Sequence, residues 1–190
     1  MKILITLTIV SLLHFSAYSQ TVTPECQSYY SHLESLTQKN VVVLGDVSSA
    51  LEITKKLVNA SCSIDEFPVT STMGDLVIKA DNPNAVTYFI DYRRLRSHSV
   101  EEELSFSLYR IYEKYPQKVL EIVSLLPDYS KELLINDLGW GFKNYNYEDL
   151  SQTGLSFKDY YFSKLPKLKK LVSSYSTLIE KIIATSEFEE

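Results

Sequence analysis

Nucleophilic and metal chemistry in proteins draws mostly on cysteine, histidine and paired carboxylates, and this chain is sparing with the first two. Its 190 residues include two cysteines, Cys26 and Cys62, and three histidines, His14, His32 and His98. A nucleophile with its base, or a zinc ion held by His and Cys side chains, needs several such residues brought together, and no motif spacing here does so. The cysteines form no C-x-x-C pair. The sequence therefore assigns no catalytic residue, no metal ligand and no cofactor.

Carboxylates are more plentiful. Glu101-Glu102-Glu103 is the densest acidic run, and Asp149 stands within an aromatic stretch. A glycosidase needs two such groups facing each other, roughly 5–10 Å apart, which would make the chain a hydrolase of cell-wall or glycan material. Acids at a helix start are also explained by capping and the helix dipole, so the hydrolase is the alternative reading.

The richest concentration of binding-type side chains is aromatic. Trp140, Phe142, Tyr145, Tyr147, Phe157, Tyr160, Tyr161 and Phe162 crowd a short segment of a chain that has 14 tyrosines. Tyr and Trp bury large areas at small entropic cost and keep a polar handle, which suits both cores and recognition surfaces. Trp140, Phe142, Tyr145, Tyr147, Phe157 and Tyr160 are the candidate partner-binding residues, with core packing as the competing role. Two basic groups, Arg93, Arg94 and Arg96 in one and Lys164, Lys167, Lys169 and Lys170 in the other, read as solvated helix faces able to meet an anionic partner.

These residues need an address and a scaffold. Lys2 followed by the apolar run Ile3–Phe15, with small residues Ala17 and Ser19, has the form of a secretion signal over 1–19 cut before Gln20. Its removal takes Lys2 and no acid, leaving 18 basic against 24 acidic residues, a net charge of −6. That disfavours nucleic acid as a partner. No later stretch is as long as a membrane span, so a soluble secreted or periplasmic product is expected, with no stable membrane insertion. In that oxidising setting Cys26 and Cys62 read as one disulfide.

Five glycines and six prolines are few for a β-sandwich, which favours an all-α fold: one domain over 20–190, a bundle of about six to eight helices. Thr23-Pro24 opens a first helix ending near Asn40, and Val41–Leu44 reads as a buried connection to a second over Val47–Asn59. Residues 63–72 read as a loop, followed by a short helix at Met73–Lys79. Asp81-Asn82-Pro83 starts the next, with Val86, Phe89, Ile90 and Leu95 inward. Ser99 and Glu102 form a capping box before the face Leu104, Leu108, Ile111 and Tyr112. Pro116 and Pro127 bracket a helix apolar almost all round and thus expected at the core, and the helix after it runs to Gly139-Trp140-Gly141-Phe142. Short helices separated by proline suggest helix pairs stacked in the HEAT manner, although no internal repeat is visible.

Residues 143–155 read as a polar loop rich in tyrosine. After a Ser156–Asp159 cap, Tyr161, Leu165, Leu168, Val172, Tyr175, Ile179 and Ile182 recur at alternating four and three residues, a long terminal helix kinked or broken near Pro166 and packed along its own bundle. Taken together, the sequence describes an exported helical binding protein acting through recognition of another protein, of the kind that serves as an envelope inhibitor or immunity protein; a structural helical scaffold is a further alternative.

Overall fold

A computed structural model describes residues 23–62, 69–96 and 102–186, apart from the side chains of Tyr147 and Leu150. The signal segment with its cut before Gln20, His98, Ser99 and Glu101 lie outside the described residues. Within them run α1 (Pro24–Thr37), α2 (Leu44–Asn59), α3 (Val69–Lys79), α4 (Ala85–Leu95), α5 (Glu102–Lys114), α6 (Pro116–Leu125), α7 (Asp128–Thr153), α8 (Phe157–Lys164), a 3₁₀ turn (Pro166–Lys170) and α9 (Val172–Ser186), with no strand among the described residues.

Local chemistry sets several of these boundaries. Thr23 Oγ1 accepts the Cys26 N–H at 3.2 Å and Pro24 occupies the first turn, so α1 starts where the cap motif indicates. The Ser156 hydroxyl caps α8 in the same way, accepting the Asp159 N–H at 3.1 Å. The α2 start differs from the expected Val47. Asp46 accepts the Val43 N–H at 2.9 Å and pairs with Lys39, which brings the helix start forward to Leu44. Val41–Leu44 is accordingly no buried connection, since Val42 alone of the four is buried while Val41 and Val43 are exposed.

Helix α3 also begins earlier than expected, at Val69. Its threonines turn inward, and the Thr70 hydroxyl meets the Tyr92 hydroxyl of α4 at 2.6 Å, so residues that suggested a loop are held in a helix by tertiary contacts. At the end of α4, Leu95 is 40% exposed rather than inward. Helix α6 is not central to the core: Leu125 is 79% exposed, and only Pro116, Val119, Leu120 and Val123 are buried.

Contacts between helices form a simple pattern. Odd-numbered helices touch in succession, α1 to α3, α3 to α5, α5 to α7 and α7 to α9, while α2 touches α4 and α4 touches α6. Each odd helix also packs on the even helix that follows it, from α1 with α2 to α7 with α8. This is stacking of helix pairs in two layers, the arrangement by which neighbouring pairs bury a continuous core.

The expected loop at 143–155 is instead the second half of α7, which continues to Thr153 and ends at Gly154 in the left-handed conformation, φ 64°. The two glycines that lower its helix propensity allow close packing. A Cβ on Gly141 would lie 2.4 Å from the Ser105 carbonyl oxygen of α5, and one on Gly139 would lie 3.0 Å from the Ile182 carbonyl oxygen of α9. A Gly141→Ala variant should therefore lose about 1–3 kcal/mol in a urea melt, the usual range for overpacking. Gly45→Ala, where a Cβ meets nothing within 4 Å, should gain a few tenths to about 1 kcal/mol. Equal effects at the two sites would contradict this account.

The C-terminal apolar repeat is interrupted at Leu165–Pro166, where α8 gives way to the 3₁₀ turn, and bends again at Tyr175, φ −133°. Tyr161, Leu165, Leu168, Ile179 and Ile182 are all buried within the chain, so the repeat marks an internal packing face. Among the described residues no helix is long and apolar enough to cross a membrane.

Candidate functional site

Six helix positions between 140 and 160 carry the candidate binding aromatics, and the structure divides them between core and surface. Phe142 and Tyr160 are each 1% exposed, which removes both from any recognition surface. Phe142 is the hub of the buried group, its ring centroid 4.5 Å from Tyr161, 5.4 Å from Phe157 and 5.6 Å from Tyr109. The phenol groups there are paired. Asn146 Nδ2 donates to the Tyr109 hydroxyl at 3.2 Å, the Tyr160 hydroxyl donates to Asn146 Oδ1 at 3.4 Å, and the Tyr161 hydroxyl donates to Tyr112 at 3.1 Å. Burial pushes the Tyr109 phenol up to about 12, and it drives Tyr112 and Tyr161 upward as well, so this layer is neutral and fixed.

The outer part is smaller. Tyr145 is 56% exposed and Trp140 and Phe157 are half-buried, while the side chain of Tyr147 lies outside the described residues. Phe106 of α5, absent from the sequence-based candidates and itself half-buried, completes this outer group: its ring lies 5.4 Å from Trp140 and 6.0 Å from Tyr145. Tyr109 supports Tyr145 from below at 5.3 Å. Helices α5 and α7 bring these rings together because Gly141 lets the two backbones approach.

Of the carboxylates considered for hydrolysis, Asp149 and Glu103 are engaged elsewhere. Asp149 receives Lys164 Nζ at 2.7 Å, and that hydrogen bond holds its carboxyl below the usual range. Glu103 accepts the Ser71 N–H at 3.2 Å, near the start of α3, and Glu102 is exposed. His32 is exposed on α1. Among the described residues no group of three or more His, Cys, Asp or Glu side chains is placed to hold a metal ion.

The basic groups separate too. Arg94 is exposed beside Asp91, but Arg93, expected on a solvated face, is fully buried. Its Nε donates to Asp137 Oδ2 at 2.6 Å and its Nη2 to Asp137 Oδ1 at 3.2 Å, while the Ser105 hydroxyl reaches Oδ1 at 3.3 Å. Three helices, α4, α5 and α7, are tied at this point. Every buried side-chain nitrogen and oxygen among the described residues has a hydrogen-bond partner. Cys26 and Cys62 form a disulfide, with Cα atoms 5.7 Å apart, joining the first turn of α1 to the residues just after α2.

Lys167 and Lys170 line a cleft of about 780 Å³ together with Lys114, Lys118 and Tyr115. It opens between the start of α4, the junction of α5 with α6, and the 3₁₀ turn. No protein-family model, no curated protein and no solved structure matches this chain.

Proposed function

We propose that the chain is an exported binding protein that recognises another protein through the aromatic face formed by Phe106, Trp140 and Tyr145. The observation that carries this reading is the packing of the Phe106 ring against both Trp140 and Tyr145 at a partly exposed surface, over a buried layer of hydrogen-bonded phenols. Preorganised aromatics lose little freedom on binding, and Trp and Tyr are over-represented among the residues that dominate interface energies. Export is supported by the signal-like residues 1–19 and by a disulfide, which persists in oxidising compartments. An inhibitor or immunity-type role in the cell envelope is the specific form this takes.

The test pairs binding with folding. Bait protein carrying Tyr145→Ala or Trp140→Ala is compared with wild type for capture of a partner from envelope extract, and each variant is melted in urea. The expected outcome is a loss of about 2 kcal/mol or more in affinity, the scale of an interface hot spot, with Tyr145→Ala costing little stability because the side chain is largely exposed. Unchanged capture by both variants, or a Tyr145→Ala defect confined to folding, would remove this face from the function.

A further inference from the structure

We infer that the cleft between α4, α6 and the 3₁₀ turn is a second binding site, for a small phosphate ester whose ring or chain lies against its apolar wall. This does not depend on the aromatic face. The full chain has a net charge of −5, yet Lys114, Lys118, Lys167 and Lys170 line this one concavity and Glu121 is the single acid among its lining residues. The sign of the local charge is thus reversed. Asp81 pairs with Lys114 at 2.8 Å, and Glu121 pairs with Lys118 at 3.3 Å across one turn of α6, an exposed contact of the weak kind. Lys167 Nζ reaches only the Lys114 carbonyl oxygen, at 3.5 Å, and Lys170 has no ion-pair or hydrogen-bond partner among the described residues.

The lining also selects among anions. Lys167 and Lys170 of the 3₁₀ turn share the lining with Lys114 of α5 and Lys118 of α6, a set of cations that matches a dianion better than a single carboxylate. No arginine lines the cleft, so the planar fork that grips carboxylate and phosphate alike is missing, and an anion there is held by lysine point charges, the way lysine binds phosphate. Pro116 and Pro166 each occupy the first turn of their element and have no N–H to offer; with Tyr115 and Leu171 they form a stiff apolar wall. The volume, about 780 Å³, falls within the range of small-molecule sites.

Phenyl phosphate, inorganic phosphate and neutral phenyl glucoside are the probes, titrated calorimetrically into the whole mature protein at low ionic strength. Phenyl phosphate should bind saturably and more tightly than inorganic phosphate, with no saturable binding of the glucoside. Lys167→Gln/Lys170→Gln should weaken phenyl phosphate about tenfold or more, and should keep the wild-type urea midpoint because both side chains are exposed. Lys56→Gln/Lys181→Gln, which removes two exposed charges outside the cleft, should change it less than about twofold. The proposal is overturned by absence of saturable phenyl phosphate binding, by equal losses in the two double variants, or by binding to anionic phospholipid vesicles alone. That last result would make the lysines a membrane-facing patch.

Discussion

Asp137→Ala should be the most damaging single substitution described for this fold, lowering stability by about 3–5 kcal/mol in chemical denaturation, because it strands the Arg93 guanidinium without its counter-ion in a fully buried site. The ion pair itself is not the reason for such a large effect. Two charges removed from water recover most of their desolvation cost through mutual attraction and hydrogen bonds, so the net worth of the intact pair is small. The cost appears when one partner is taken away. Arg93 would keep its Nη1 bond to the Arg96 carbonyl oxygen at 2.5 Å, but the two bonds to Asp137 would be gone and no water-exposed route is open to a side chain with 0% exposure. The double variant Arg93→Met/Asp137→Leu separates the two effects. It should recover most of the loss, since apolar side chains of similar size can replace a buried pair at little cost. An Asp137→Ala penalty below about 1 kcal/mol, or a double variant less stable than the single one, would show that the pair is not the lock between α4, α5 and α7.

This lock illustrates what the sequence makes legible. In α4 the inward positions Phe89 and Ile90 are followed by Arg93, four and three residues on, and in α7 Asp137 stands three residues after Leu134 and four before Gly141. A lone charge on an apolar stripe in each of two helices, of opposite sign, is the signal for a buried pair. Arg93 was open to a different reading because Arg94 and Arg96 beside it suggest a solvated cluster at a helix end. The pairing across 44 residues is a tertiary fact. Phe106 eluded the sequence reading for the same reason: its aromatic neighbours belong to another helix.

Features fixed by local chemistry were readable. The caps at Thr23 and Ser156, the break at Pro166 and the close approach at Gly139 and Gly141 each follow from one residue type at one position. The length of α7 was not readable, because its second half is surrounded by different neighbours on different sides and shows no clean apolar stripe. Asn146 is an example. A polar residue that suggests a loop is buried there, donating to the Phe142 carbonyl oxygen and to Tyr109. Burial of a polar side chain whose hydrogen bonds are completed by side chains of other helices leaves no mark in hydropathy. The lysine cleft is of the same kind, since Lys114, Lys118 and the pair Lys167 and Lys170 come from three elements and only the fold gathers them.

Removing the disulfide, as Cys26→Ser/Cys62→Ser, should cost about 4 kcal/mol and lower the melting temperature by roughly 8–16 °C. The bond closes a loop with a sequence separation of 36, and on the chain-entropy account a crosslink of that span removes this much freedom from the unfolded chain. The folded state adds a second consequence. Among the described residues α1 is the first element of the stack, and its main packing is on α2 and α3, with Tyr30, Leu33 and Leu36 buried. A terminal repeat without a neighbour on one side opens first in a stacked array. Loss of the bond should therefore show as rapid amide exchange in α1 before global unfolding, while α7, held between α5 and α9, stays protected. Reduction of the wild-type protein should reproduce both the shift in melting and the exchange pattern. A penalty below about 1 kcal/mol, or uniform loss of protection across all helices, would mean that α1 is anchored by its packing alone and that the bond contributes nothing beyond it.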